Sequence, residues 1–481
     1  NNLQCNCTGG SVKIKIIKCL LLILMPMSVW GDIPKAYKEI MQRYNFPPDS
    51  YSFIVKNLTN KDESPVIYNQ EKLFNPASVA KIITTFIALN DLGPSFKWKS
   101  DIYYTGEVVK GKLLGNLIFK GRGDATFSLT DLEKMIRKVQ KNGIQVIEGD
   151  LIFDRSYFAF VRQVKNFDNE SMRAYNALPN PIVIQSNTIN FKFLLKDSQL
   201  AIESSPELKN LTIKNLLTLN NNKCVGWKSQ LDYRKVSHNQ EDTIIFNGNY
   251  SKRCFNKEID LSVIDNSKYF YQVFKDLWER NGGQFHGVYQ ETHLHDSNAE
   301  LITSHFSEPL SELIRDINKF SLNLMSRNLL LTVIAEQGNI PVIEPMINSY
   351  VVNWLNKNNI NTKGFIFDNG AGLSRKALLS TQQLLTFMEM IYSHPLMPEM
   401  IASFPIVSVD GTLEKRMSLS SVRENGHFKT GSLKHVNAIA GYFVDQIMDK
   451  KIFIFIMNDP KANQSQLLQQ ELINLSFQSS Y

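Results

Sequence analysis

Residues 75–89, Asn-Pro-Ala-Ser-Val-Ala-Lys-Ile-Ile-Thr-Thr-Phe-Ile-Ala-Leu, decide how the rest of the chain is read. Asn75-Pro76-Ala77 reads as a turn into a helix start, and Ile82, Ile83, Phe86, Ile87 and Leu89 continue as a largely buried helix. Residues three apart share a helix face, so Ser78 and Lys81 would stand within hydrogen-bonding reach. A lysine in that position can deprotonate the serine only if it is neutral. Burial and a second cation both push its pKa down. The chain supplies such a cation in Lys429-Thr430-Gly431, its single Lys-Thr-Gly, far downstream. By itself a Ser-x-x-Lys spacing carries little weight, because two common residues meet it by chance on solvated helices. The two motifs in this order carry much more, and a serine at a helix N-terminus also has the macrodipole beside it.

Working outward, Tyr51 to Val55 and Val66 to Tyr68 read as a hairpin just before that helix, and Ala438 to Val444 with Ile452 to Met457 as a second strand pair. Both pairs are expected in one sheet, with Lys429-Thr430-Gly431 just ahead of the second pair. Apolar residues at three-to-four spacing predict helices over Leu310 to Asn318, Leu324 to Glu336, Met346 to Asn356 and Thr381 to Tyr392. Between these ends, Leu114 to Phe119, Gln145 to Phe153 and Thr243 to Phe246 read as strands, and Leu129 to Lys141 as a helix. The aromatic run Tyr269 to Trp278 has helical spacing and reads as core. The stretch from Lys165 to Lys257 is rich in Asn, Lys and Ser and lacks long helices. The expected organisation is a mixed α/β chain (α+β) with a core from residues 32–96 and 304–481. One insertion covers 97–164 and 260–303, and a second, nested in it and mainly β, covers 165–259.

At 481 residues, 43% hydrophobic and 21% charged, the chain exceeds one ordinary core and has globular composition. Lys13, Lys15 and Lys18, the apolar run Cys19 to Met27 and Ser28-Val29-Trp30-Gly31 read as a secretory signal cut after about Gly31, with residues 1–11 translated from upstream of a non-AUG start at Val12. Pro26 breaks the run too early for a membrane span. Loss of the three lysines lowers the net charge from +7 to +4, too dispersed to imply nucleic-acid binding. Membrane association is at most peripheral. After cleavage only Cys224 and Cys254 remain; they are either a disulfide suited to an oxidising compartment or two buried small hydrophobes. His293-x-His295 with Asp296 reads as a solvated loop, so no metal is expected.

A third motif, Ser-x-Asn, occurs at Ser237-His238-Asn239 and at Ser321-Leu322-Asn323. The second lies between two predicted helices, where a turn can aim a relay hydroxyl and a substrate-holding amide into a cleft. With it the chain resembles the low-molecular-mass class C penicillin-binding proteins, which are D-alanyl-D-alanine carboxypeptidases and endopeptidases. The three motifs stand in that family's order. Gly123-Asp124, the run Gly149 to Asp154, the run Asp368 to Arg375 and Asp410-Gly411-Thr412-Leu413 through Arg416 match as well.

The resemblance implies a β-lactamase/transpeptidase-like core with nested insertion domains. It implies a periplasmic serine D,D-peptidase that acts on peptidoglycan stem peptides, takes β-lactam antibiotics as covalent inhibitors and needs no cofactor. Ser78 would be nucleophile, Lys81 base and Ser321 proton relay. Asn323 would hold the peptide, Lys429 and Thr430 would bind the terminal carboxylate with Gly431 also in the substrate-binding set, and the oxyanion would lie between the backbone N–H groups of Ser78 and Ser432. Asp154 and Arg375 would hold a diaminopimelate side chain, and Cys224 would pair with Cys254. Leu322 and Lys434 depart from the usual polar residue and glutamine, which bears on substrate preference rather than on the nucleophile. A β-lactamase on the same core and a catalytically silent wall-binding protein are the alternatives; turnover of penicillin and absence of D-alanine release would mark them.

Overall fold

The computed structural model describes residues 33–159, 168–196, 199–238, 241–293, 298–338, 340–418 and 420–478. The expected signal segment, Asn239, His295 and Asp296 lie outside them.

Both ends of the chain build one five-stranded antiparallel sheet, in the order Val66–Tyr68, Tyr51–Asn57, Lys450–Asn458, Val436–Val444, Gly426–Leu433. Tyr51 stands opposite Met457, as pairing between the two ends requires. The central strands are apolar on both faces because both are covered. Ile54, Ala440, Ile452, Ile454 and Ile456 face one buried cluster, shared with the helices Lys81–Leu92, Leu310–Lys319, Asn323–Glu336 and Thr381–Tyr392. Phe53, Val55, Ile439, Phe453 and Phe455 face another, shared with Lys35–Tyr44 and Gln466–Gln478. These two outer helices also meet through Tyr37 Oη and Ser476 Oγ at 2.8 Å and through Arg43 and Glu471 at 2.6 Å. The helix Asn323–Glu336 is buried almost all round, which explains a sequence with little amphipathic contrast.

The predicted helices appear within a residue or two of their expected ends, while two expected strands each split. Leu114 to Phe119 becomes Lys112–Leu114 and Leu117–Lys120, and Gln145 to Phe153 becomes Val146–Ile147 and Leu151–Asp154. In each case the two halves belong to different sheets. The switch points are glycines in backbone-to-backbone contact. A Cβ on Gly115 would stand 1.8 Å from the Thr105 carbonyl oxygen, and one on Gly149 would stand 2.3 Å from that of Gly115. Hydrophobic alternation alone gives no hint of this crossing. The Lys429-Thr430-Gly431 motif also differs from expectation: it lies inside the sheet's edge strand rather than ahead of it, joined to the next strand by a turn with His435 at φ 68°.

Residues 189–261 form a three-stranded and a four-stranded sheet of their own. Their inward aromatics Phe191, Phe193, Phe246 and Tyr250 nevertheless join one buried cluster with Phe119, Phe127, Phe270 and Trp278. Cys224 and Cys254 form a disulfide with Cα atoms 5.2 Å apart. Closing a loop with a sequence separation of 30 restricts the unfolded chain by about 3–4 kcal/mol. Cys224→Ser/Cys254→Ser is therefore expected to lower the urea midpoint of the transition that unfolds this region, with catalysis unchanged. An unchanged midpoint would show that the bridge holds nothing that packing does not.

Candidate active site

The turn before the helix Lys81–Leu92 is a short 3-10 segment, Ala77–Ala80, which carries Ser78. Asn75 sets it: its Oδ1 accepts from the Ala77 N–H at 2.9 Å, its Nδ2 donates to the Ser374 carbonyl at 2.7 Å, and its own N–H donates to Asn458 Oδ1 at 2.7 Å. The turn is thereby tied to the central sheet and to the loop 368–375.

Lys81 Nζ lies 2.9 Å from Ser78 Oγ and donates to Asn323 Oδ1 and to the Ala371 carbonyl, both at 2.7 Å. The Asn323 amide is oriented by its Nδ2, which donates to the Tyr175 carbonyl at 3.3 Å. A neutral amine has two hydrogens and one lone pair. Two of the three partners are oxygens that only accept, so both hydrogens are used on them and the lone pair remains for the one partner that can donate, the Ser78 hydroxyl. The amine is fully buried, and its pKa is held well below the ordinary 10.5, first by that burial and then by the charge of Lys429.

Lys429 comes from the edge strand and is equally buried, which lowers its pKa to about 7. Its Nζ donates to Ser321 Oγ at 3.0 Å and to the Thr430 carbonyl at 2.7 Å. Ser321 stands at φ 60°, a left-handed conformation that turns the chain between Leu310–Lys319 and Asn323–Glu336. That turn is held from both sides: Leu322 N–H donates to the Ile317 carbonyl at 3.1 Å, and buried Lys319 bonds Phe404 O at 3.0 Å and Asp410 Oδ2 at 2.5 Å. The strand passes directly against the turn that carries Ser78. A Cβ on Gly431 would stand 2.7 Å from Pro76 O and 3.0 Å from Ser78 N.

The structure thus brings Ser78, Lys81, Ser321, Asn323, Lys429, Thr430 and Gly431 to one place, with Ser432 next along the edge strand and exposed. Ser237 is elsewhere, in a strand of the insertion and bonded to Asp242. Asp154 ends the strand Leu151–Asp154, is 1% exposed and pairs with Lys120 Nζ at 3.3 Å. Arg375 donates to the Lys434 carbonyl at 2.7 Å. Three contributors had no role assigned from sequence. Ala371 acts through its carbonyl, which no motif of side chains reveals. Tyr175 likewise acts through its backbone. Thr412 Oγ1 lies 2.7 Å from Thr430 Oγ1, and its only signal in the sequence is membership of the run after Asp410.

A family model described as the D-Ala-D-Ala carboxypeptidase 3 (S13) family matches residues 36–475. The chain is 25% identical over 417 residues to the D-alanyl-D-alanine carboxypeptidase DacB of Haemophilus influenzae, across 84% of this chain and 85% of that one. It is 23% identical over 384 residues to a D-alanyl-D-alanine carboxypeptidase of Actinomadura sp., across 76% and 70%. Among solved structures, penicillin binding protein 4 (dacB) of Haemophilus influenzae superposes with a TM-score of 0.79 at 23% identity, over 92% of this chain and 99% of that one. The same protein complexed with a β-lactam gives 0.75 at 22% identity, with the same coverage. The mixed α/β architecture described above is therefore the fold of that protein.

Proposed function

The chain belongs to the D-Ala-D-Ala carboxypeptidase 3 (S13) family, and from this premise we propose that Ser78 is the nucleophile of a D,D-peptidase acting on peptidoglycan stem peptides. The observation that carries the reading is the environment of Lys81: its amine lies 2.9 Å from Ser78 Oγ, is fully buried, and has its pKa held well below 10.5 by that burial and by Lys429.

Lys81 takes the Ser78 proton as Oγ attacks the carbonyl of the penultimate D-alanine. The oxyanion is met by the backbone N–H groups of Ser78 and Ser432, each worth roughly 3 kcal/mol at the transition state. The proton passes through the Ser321 hydroxyl to the nitrogen of the departing terminal D-alanine, the C–N bond breaks, and water then resolves the acyl-enzyme. Lys429 spends two N–H groups on Ser321 and Thr430, and the third, with the Thr430 and Thr412 hydroxyls, receives the terminal carboxylate. Asn323 holds the peptide amide. Arg375 faces the far end of a diaminopimelate side chain, whereas Asp154 would have to leave Lys120 to reach it. Cleavage of a peptide cross-link uses the same acyl-enzyme with a longer leaving amine. The basic and apolar segment before Ile33, together with a disulfide that an oxidising compartment preserves, supports export to the periplasm. The core 32–96 with 304–481, the insertion 97–164 with 260–303, and the nested 165–259 remain the division we adopt.

Incubating purified protein with pentapeptide muropeptides and identifying products by mass spectrometry tests the reaction. Loss of a single terminal alanine is expected, and labelled penicillin should modify the peptide containing Ser78. No alanine release, or labelling that persists in Ser78→Ala, removes the assignment.

The two amines also predict a pH dependence. Lys81 must be unprotonated, so kcat/KM rises as pH climbs through its depressed pKa; Lys429 must be protonated, so kcat/KM falls above about 7 in the free enzyme. A bound carboxylate stabilises the Lys429 cation, so the alkaline limb of kcat should lie at higher pH than that of kcat/KM. A pH-rate profile with coincident alkaline limbs would deny Lys429 its contact with the carboxylate.

A further inference from the structure

Cys224 and Cys254 lie in two loops of the nested insertion that are laced together. Lys252 N–H donates to the Asn220 carbonyl at 2.8 Å, the Ser251 hydroxyl donates to the Asn222 carbonyl, and Arg253 N–H donates to Ser251 Oγ at 3.1 Å. Here the residue after each cysteine is large, apolar and exposed: Val225 at 74% and Phe255 at 71%. The bridge holds both positions in one tip, because the cysteine Cα atoms are 5.2 Å apart and each exposed residue is one Cα step, about 3.8 Å, further on.

The sequence of this tip is basic: Lys223, Lys228, Lys252, Arg253 and Lys257 flank the two residues, with no Asp or Glu between Glu207 and Asp232 or between Asp242 and Glu258, and the acid that the fold brings beside it, Glu170, is paired with Arg173 next to Trp227 and Lys228. Elsewhere the insertion pairs its charges across strands, as in Lys192 with Glu258 and Lys196 with Glu203. Trp227 adds a half-buried aromatic ring with Lys228 Nζ 5.6 Å from its centroid, the amphipathic type that gathers at membrane–water interfaces. Among the described residues no helix is long and apolar enough to cross a membrane.

We propose that this tip docks on the surface of an anionic lipid bilayer. Val225 and Phe255 enter the boundary between headgroups and acyl chains, while the five cations meet lipid phosphates. Charge complementarity favours a bilayer because two exposed apolar residues are each flanked along the chain by cations, a combination that an anionic interface with an apolar interior satisfies. The inference does not depend on the catalytic reading.

Co-sedimentation of the full chain with vesicles tests it, using phosphatidylglycerol mixed into phosphatidylcholine against phosphatidylcholine alone. Wild type should pellet with the anionic vesicles only, less so at high salt. V225S/F255S should weaken binding at least about tenfold, and Lys252→Gln about fivefold, with D-alanine release and melting temperature as folding checks. Ile447→Ser/Met448→Ser removes a comparably exposed apolar pair, 61% and 75%, outside the tip and should change nothing. Binding retained by V225S/F255S, equal binding to uncharged vesicles, or tip-dependent self-association without vesicle binding would each overturn the proposal, the last by giving the surface to a second copy of the chain.

Discussion

Lys81→Met is expected to stop acylation of Ser78 by substrate and by penicillin, lowering kcat/KM for D-alanine release at least about 10³-fold while leaving the protein folded. Methionine nearly fills the lysine's volume but has no lone-pair nitrogen to take the serine proton. Two opposing terms act on stability. The variant removes an amine whose burial disfavours folding, and it leaves Asn323 Oδ1 and the Ala371 carbonyl without their donor, at a cost of about 1–3 kcal/mol each. The pH dependence of folding separates them. In wild type the unfolded chain keeps the Lys81 proton up to about its ordinary 10.5 and the folded chain gives it up earlier, so this residue makes stability rise with pH between the depressed pKa and 10.5. That contribution should vanish in Lys81→Met. Lys81→Arg retains a cation that does not deprotonate and should be as inactive as methionine. An arginine variant with more than a few per cent of wild-type activity would show that positive charge, not basicity, is what the site needs.

Gly372→Ala should damage both stability and rate, although residue 372 touches no substrate. Gly372 sits at φ 70°, and a Cβ there would be 1.8 Å from the Ala77 carbonyl oxygen and 3.1 Å from Ser78 N. Backbone cannot swing aside as a side-chain tip can, so either the nucleophile turn or the loop carrying Ala371 has to move. A displacement of about 1 Å misaligns Ser78 with Lys81 and with the oxyanion donors, for an expected loss of about 10²-fold or more in kcat/KM and roughly 3 kcal/mol or more in stability. Gly338→Ala supplies the comparison: Gly338 has φ 83° with nothing within 4 Å of its Cβ position, so it bears the left-handed conformation without the clash. Its cost should be about 1–2 kcal/mol with rates intact. Equal effects from the two substitutions would mean that strain, not contact with the Ser78 turn, explains the first.

The side chains proposed for catalysis were legible because the chemistry asked of them constrains residue type at fixed spacing. Ser78 and Lys81 share a face for the reason any residues three apart do, and Lys429 and Ser321 follow from the need for a second cation and a relay. Ser321 at φ 60° shows why its motif reads only as a turn in sequence: the left-handed residue is a serine rather than the glycine or asparagine that would announce it. Ala371, Tyr175 and the sheet-switching glycines escaped for one common reason, that they work through backbone atoms. A main-chain carbonyl leaves no signature in residue identity. Asp154 illustrates the converse, since its alignment with a substrate-binding motif gives no notice of the lysine already beside it.

The central sheet joins a strand beginning at Tyr51 to one ending at Asn458, and Tyr37 meets Ser476 across its outer face. During synthesis, then, Tyr51–Asn57 can pair at once with Val66–Tyr68 but waits for its other neighbour, Lys450–Asn458, until that distant segment is made. Until residues 426–458 are made, neither Lys429 nor the strands beside it exist to complete the cleft, so a chain that stops between Lys81 and Gly426 holds Ser78 and Lys81 without the second cation that lowers the lysine's pKa. The cleft is therefore completed only once Lys450–Asn458 has paired with Tyr51–Asn57.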